Sequence, residues 1–177
     1  MKVTTPEIWV SDPCYSLDTW CTHTIKNARL GNWNPSIDYG PSSWGNRVHQ
    51  ITITHEDARK LFYKLVDEAE IGVDSGQAGF FDKANHPRVD AEYRDESNFY
   101  KQICNQTVDE NIAHSDWYAV SSSGYGDGSY SLYVAEENGE VVAAKIIFID
   151  DNEEDEEFEE EYDAYNDGFE EYEGDRV

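Results

Sequence analysis

The chain has 177 residues, one domain's worth, with five Trp and twelve Tyr, enough apolar and aromatic material for a real core. Its formal net charge is −25, which disfavours direct binding to nucleic acid or to an anionic membrane, since both need a cationic footprint. No run of about 18 apolar residues is present, so no membrane-spanning helix is expected.

In chain order, Glu7–Ser11 is a short β-prone run ended by Asp12-Pro13, because proline cannot donate to a ladder and aspartate favours a turn. HTIKNARL and NWNPSIDYG follow as two strands around a turn, and RVHQITIT (47–54) alternates apolar and polar residues as a third. From about His55 to Glu70 the spacing predicts a helix. Thr54 would cap it, and Ala58, Leu61, Phe62, Leu65, Val66 and Ala69 would form its apolar stripe. His55 would then sit on the surface in the first turn. VDSGQAGFFD (73–82) reads as a strand broken by glycines, 83–96 as a polar surface loop, and 98–106 as a second helix with Ile103 inward.

The stretch 117–150 reads as a three-strand meander. WYAVSSS, YSLYVAEE and VVAAKIIFI are joined by GYGDGS and by Asn138-Gly139, a pair suited to a type I′ turn. The last strand is apolar almost throughout and should lie inside its sheet. The expected fold is therefore α+β: a curved antiparallel sheet or partly closed barrel with two packed helices and a C-terminal three-strand meander. The globular domain would span residues 1–150, with an acidic aromatic tail over 151–177.

Three cysteines, an odd number, suit free thiols in a reducing compartment, and MKVTTPEIWVSDPC lacks the apolar core of a signal peptide. A cytoplasmic location is expected. Cys14, Cys21 and His23 could offer three zinc ligands, but their spacing fits no common zinc site, and buried thiols are the plainer reading. No cofactor is expected.

Three motifs carry a resemblance: Trp9-Val10-Ser11-Asp12-Pro13-Cys14-Tyr15, Val73-Asp74-Ser75-Gly76-Gln77, and Ser123-Gly124-Tyr125-Gly126-Asp127-Gly128-Ser129-Tyr130. In this order, over about residues 6–149, the chain resembles a family of phage and bacterial proteins known only as a domain of unknown function. The resemblance brings no chemistry with it. It implies a small accessory protein of the kind phages direct against host enzymes or host immunity. The acidic tail is not part of that pattern.

One possible site lies on the glycine-rich turns. Asp74, Ser75, Gln77, Tyr125 and Asp127 could bind a nucleotide or other small ligand, or serve a hydrolase. Asp74, Asp82 and Asp127 could share Mg²⁺. The turns lack the Lys and the following helix of a P-loop, and Asx turns explain their aspartates equally well.

The other candidate is the tail. Residues 150–177 hold 16 Asp and Glu against one Arg, net −15, while residues 1–149 are net −10. Phe158, Tyr162, Tyr165, Phe169 and Tyr172 recur at helical 4-3-4-3 spacing, with Glu156, Glu157, Glu159, Glu160 and Glu161 as the charged face. Extended, the tail carries one charge per about 6 Å; as a helix, one per about 2.6 Å, comparable with duplex or single-stranded nucleic acid. These features predict an inhibitor that occupies the basic, nucleic-acid-binding surface of a host protein such as a CRISPR effector, a restriction enzyme or another nuclease. A solubilising tail with incidental rings is one alternative reading; docking of the tail onto its own body is another, opposed by the acidity of that body.

Overall fold

The computed structural model describes residues 1–16, 19–85 and 99–150. The chain forms eleven strands: β1 (Lys2–Val3), β2 (Glu7–Ser11), β3 (His23–Lys26), β4 (Gly31–Gly40), β5 (Arg47–His55), β6 (Tyr63–Val73), β7 (Gln77–Asp82), β8 (Ile112–His114), β9 (Tyr118–Ser122), β10 (Gly128–Glu137) and β11 (Glu140–Ile147). The helix α1 (Phe99–Glu110) enters between β7 and β8, after a single 3₁₀ turn, Lys83–Asn85.

The strands make two antiparallel sheets, one in the order β1-β4-β5-β11-β10-β6 and the other β3-β2-β7-β9-β8. Neither closes into a barrel. Alternation along the strands sends Trp33, Ile51, Ile53, Ile71, Leu132 and Ile146 from the first sheet against Ile8, Val10, Ile25 and Phe80 from the second. The opposite face of the second sheet is also covered. Trp9, Phe81, Trp117, Tyr118 and Val120 pack there with Ile103 of α1. Buried on both faces, β7 has no exposed residue from Gln77 to Asp82. The order of layers is sheet, sheet, helix.

The chain is mostly strand, with one α-helix among the described residues in place of the two packed helices of the expected α+β fold, and three features depart from the sequence reading. The first is the helix expected over 55–70. Residues 47–55 continue as β5, and 63–73 form β6 at the edge of the first sheet, so α1 is the only α-helix among the described residues. The cause is a wide bulge. Pairing passes from Ser131–Glu70 to Tyr133–Leu65, which sets the four residues Val66–Ala69 opposite Leu132 alone. Glu68 takes φ +61° in this bulge. The inserted residues break the two-residue alternation, and the spacing that remains counterfeits a helical period. Of the expected apolar stripe only Ala69 is buried, while Leu61, Phe62 and Leu65 are exposed. His55, expected on the surface, is buried. Its Nδ1 accepts from the Asp57 N–H at 3.1 Å, which leaves Nε2–H to donate to the Leu30 carbonyl at 3.0 Å.

The second difference is the meander. β10 and β11 do form a hairpin, and Asn138 and Gly139 (φ +55° and +82°) make the left-handed pair its turn requires. β11 lies between β5 and β10, inside its sheet as expected. β9, however, pairs with β7 and β8 in the other sheet. GYGDGS is therefore a crossover between layers and not a hairpin loop. Ser123 holds it at the second sheet, donating from N to the Gly76 carbonyl at 3.0 Å. The third is the pair expected over 23–40, which is likewise divided, with β3 in one sheet and β4 in the other.

Candidate functional site

The three motifs meet at one end of the sandwich, and a buried carboxylate joins two of them. Asp12 follows β2 and is wholly buried. Its Oδ1 accepts from the Cys14 N–H and the Ser75 hydroxyl, both at 2.7 Å. Its Oδ2 accepts from the Asp74 and Ser75 N–H groups, both at 2.8 Å. Four donors thus fill one carboxylate, and the turn between β6 and β7 is fastened to the end of β2. The bond to Cys14, two residues on, is an Asx turn; it is the part of this arrangement visible in Asp-Pro-Cys. The third motif adjoins through the Ser123–Gly76 bond. It is braced internally, since the Tyr130 hydroxyl donates to the Gly126 carbonyl at 2.7 Å and the Ser123 hydroxyl to the same oxygen at 2.8 Å.

The residues expected to bind a small ligand come to this end, but their side chains diverge. Ser75 is turned onto Asp12. Gln77 points toward the helix layer, where its Nε2 donates to Thr107 Oγ1 at 2.7 Å. Tyr125 faces the β4–β5 loop, with Ser43 Oγ 3.0 Å from its hydroxyl and the Trp44 ring 5.2 Å from its own. Asp74 and Asp127 are exposed. Asp82, at the far end of β7, is buried and accepts from Thr4 N, Thr4 Oγ1 and Asn85 Nδ2. Among the described residues, no group of three or more His, Cys, Asp or Glu side chains is placed to hold a metal ion.

Nor is a nucleophile activated here. Burial, then the adjacent Asp12 carboxylate, push the Cys14 thiol well above its ordinary range. Burial and neighbouring Asp74 do the same to Tyr15. Tyr100 of α1 is pushed up to about 12, mainly by burial, against a hydrogen bond to Ser75 that works the other way. All three stay protonated at neutral pH. Alkylation of Cys14 by iodoacetamide at pH 8 should accordingly run at least about tenfold slower in the folded protein than in urea. Peptide mapping over time reads this, and equal rates would contradict it.

A further surface was hidden by the helix expectation. Arg59, Lys60, Leu61, Phe62, Lys64 and Leu65 are all exposed on the run into β6 and on its first residues. The run is fixed by its backbone: the Arg59 and Lys60 N–H groups donate to Glu137 Oε1 at 2.8 and 2.7 Å. Those two bonds, that of Lys60 first, with the nearby Arg29 guanidinium, hold the Glu137 carboxyl below the usual range. Arg29 also bonds Glu140 at 2.9 Å. The tail residues Phe158, Tyr162, Tyr165, Phe169 and Tyr172, and the run Glu156, Glu157, Glu159, Glu160 and Glu161, lie outside the described residues. Among the described residues no helix is long and apolar enough to cross a membrane.

No family model, no curated protein and no solved structure matches this chain.

Proposed function

We propose that the protein is a binding protein: a phage-encoded inhibitor that acts in the host cytoplasm and covers the basic, nucleic-acid-binding surface of a host defence or replication protein. One observation carries this reading. More than half of the net charge, −15 of −25, is concentrated in the last 28 residues, interleaved with five rings at helical spacing. Charge of this density steers encounter with a cationic surface, and rings supply the anchors once contact is made. The likeness of the three motifs to the phage and bacterial family supports the same reading. So does the engagement of Asp12, Ser75 and Gln77 in the protein's own hydrogen bonds, which withdraws these three polar side chains of the turns from a small substrate.

The test is capture from host lysate on the immobilised full chain, followed by mass spectrometry. Basic nucleic-acid-binding proteins should be retained at low salt and largely released by about 0.5 M salt, where the Debye length falls below about 5 Å. Retention of no such protein, or a capture profile unchanged by salt, would overturn the proposal.

A further inference from the structure

Residues 1–149 are acidic overall, with 12 Lys and Arg against 22 Asp and Glu. Three of those 12 cations, Arg59, Lys60 and Lys64, fall within six residues that hold no acid and include Leu61 and Phe62. Among the described residues, no carboxylate forms an ion pair with any of their side chains. Phe62 is 77 % exposed and Leu65 51 % exposed. Both line an open groove of about 700 Å³ with Val66 and Val134, and Lys64 and Glu136 lie on its rim. An exposed apolar groove beside unpaired cations calls for an occupant that is both acidic and aromatic.

The chain contains such a segment. Glu156–Glu161 with Phe158, Tyr162 and Tyr165 combines dense carboxylates with rings at 4-3 spacing. The reach also suffices. Asp150 borders a small cleft with Ser131, Tyr133 and Ile147, at one end of the β10–β11 hairpin. The groove is at the other end, beside Asn138 and Gly139. From Ser131 to Asn138 the hairpin runs about 23 Å. The eight residues from Asp150 to Phe158 span about 26 Å when extended. Val66 and Val134 pack toward the core, on the opposite face of β10 from Ser131 and Tyr133, so the chain must also round the edge of the sheet at β6. Tyr162 and Tyr165, 12 and 15 residues after Asp150, have about 40 and 50 Å of extended reach and can do so.

We propose that the segment around Phe158–Tyr165 docks into the Phe62–Leu65 groove of its own molecule, with its carboxylates on Lys60 and Lys64. A cationic partner then has to displace it, so the segment is shielded until a surface more basic than the patch is offered. That consequence rests on the partner-binding reading above; the contact itself does not.

The experiment needs no partner. Full-length light chain and fully ¹⁵N-labelled chain are mixed in equal amounts, treated with a zero-length carboxyl-to-amine coupling reagent, digested and mapped. The expected result is Lys60 or Lys64 joined to carboxylates of Glu156–Glu161 within one chain, light to light or heavy to heavy. Mixed light–heavy products alone would overturn docking within one molecule. Coupling of these lysines to other carboxylates only, or no coupling at all, would overturn the contact. In a Phe62→Ser/Leu65→Ser variant the product should fall by about tenfold, as when anchor side chains are lost from an interface, with an unchanged far-UV spectrum. An undiminished yield would show that the groove is not the site. If the intramolecular product forms but the lysate yields no basic partner, the partner reading fails while the docking stands.

Discussion

Replacing Asp12 by alanine should lower the unfolding free energy by about 3–5 kcal/mol, the cost of removing one partner from a buried charged network. The reasons are local. Asp12 is fully buried and supplies the acceptors for three backbone N–H groups and one hydroxyl, from Cys14, Asp74 and Ser75. Alanine leaves all four donors without it at a place where two turns and the end of β2 converge. Asparagine preserves the shape but turns an N–H₂ group toward donors, so it should recover little of the loss. For a chain of this size the midpoint of thermal unfolding should drop by about 10 °C or more. Urea and thermal unfolding measure both. A loss below about 1 kcal/mol would mean that water replaces the carboxylate and that the turns are held by other contacts.

The prediction also bears on what the motifs are for. The Asp-Pro-Cys and Asp-Ser-Gly stretches look, as sequence, like material for a site. In three dimensions their polar atoms satisfy one another. Asp12 was legible as a turn former, and its Asx turn with Cys14 is the local half of its role. The other half, the bonds to Asp74 and Ser75 across more than sixty residues, depends on β2 and β6 ending side by side. No local pattern encodes that.

The strands of the fold were largely readable, by different signals: β5 alternates as a strand with one buried face does, β2 and β11 are short β-prone or near-continuous apolar runs, and Asn138-Gly139 marks the β10–β11 turn. The helix α1 was readable from Ile103 and its neighbours. Four were not: β1 and β8, two and three residues long, are too short to show a period, and β6 and the GYGDGS crossing were misread. In β6 the insertion of Val66–Ala69 removed the period that would have identified it, and a run of good helix formers filled the gap. At GYGDGS the turn residues were recognised, but their direction was not. Glycine permits a tight hairpin and a crossing between sheets alike: Gly124, at φ +56°, makes the crossing here. Misreading β6 also hid the basic, apolar patch at Arg59–Leu65, since a helix would have turned Leu61, Phe62 and Leu65 inward. The charge imbalance of the tail, by contrast, needs no structure to be seen.

Truncation after Asp150 has the largest expected effect on binding. It removes 15 of the 38 carboxylates and all five periodic rings. It leaves the two cores whole, since every residue in them lies at or before Ile149. Stability should therefore change little, within about 1 kcal/mol. Affinity for a cationic partner should fall by about a hundredfold or more, because both the steering charge and the anchors go together.

That comparison is the most direct test. Isothermal titration of the full chain and of the chain ending at Asp150, against one basic protein recovered from lysate, should show tight, salt-sensitive binding by the first and loss of about a hundredfold or more by the second. Equal affinity of the two, with the truncated chain still folded, would place the binding surface on the two-sheet body and contradict the account.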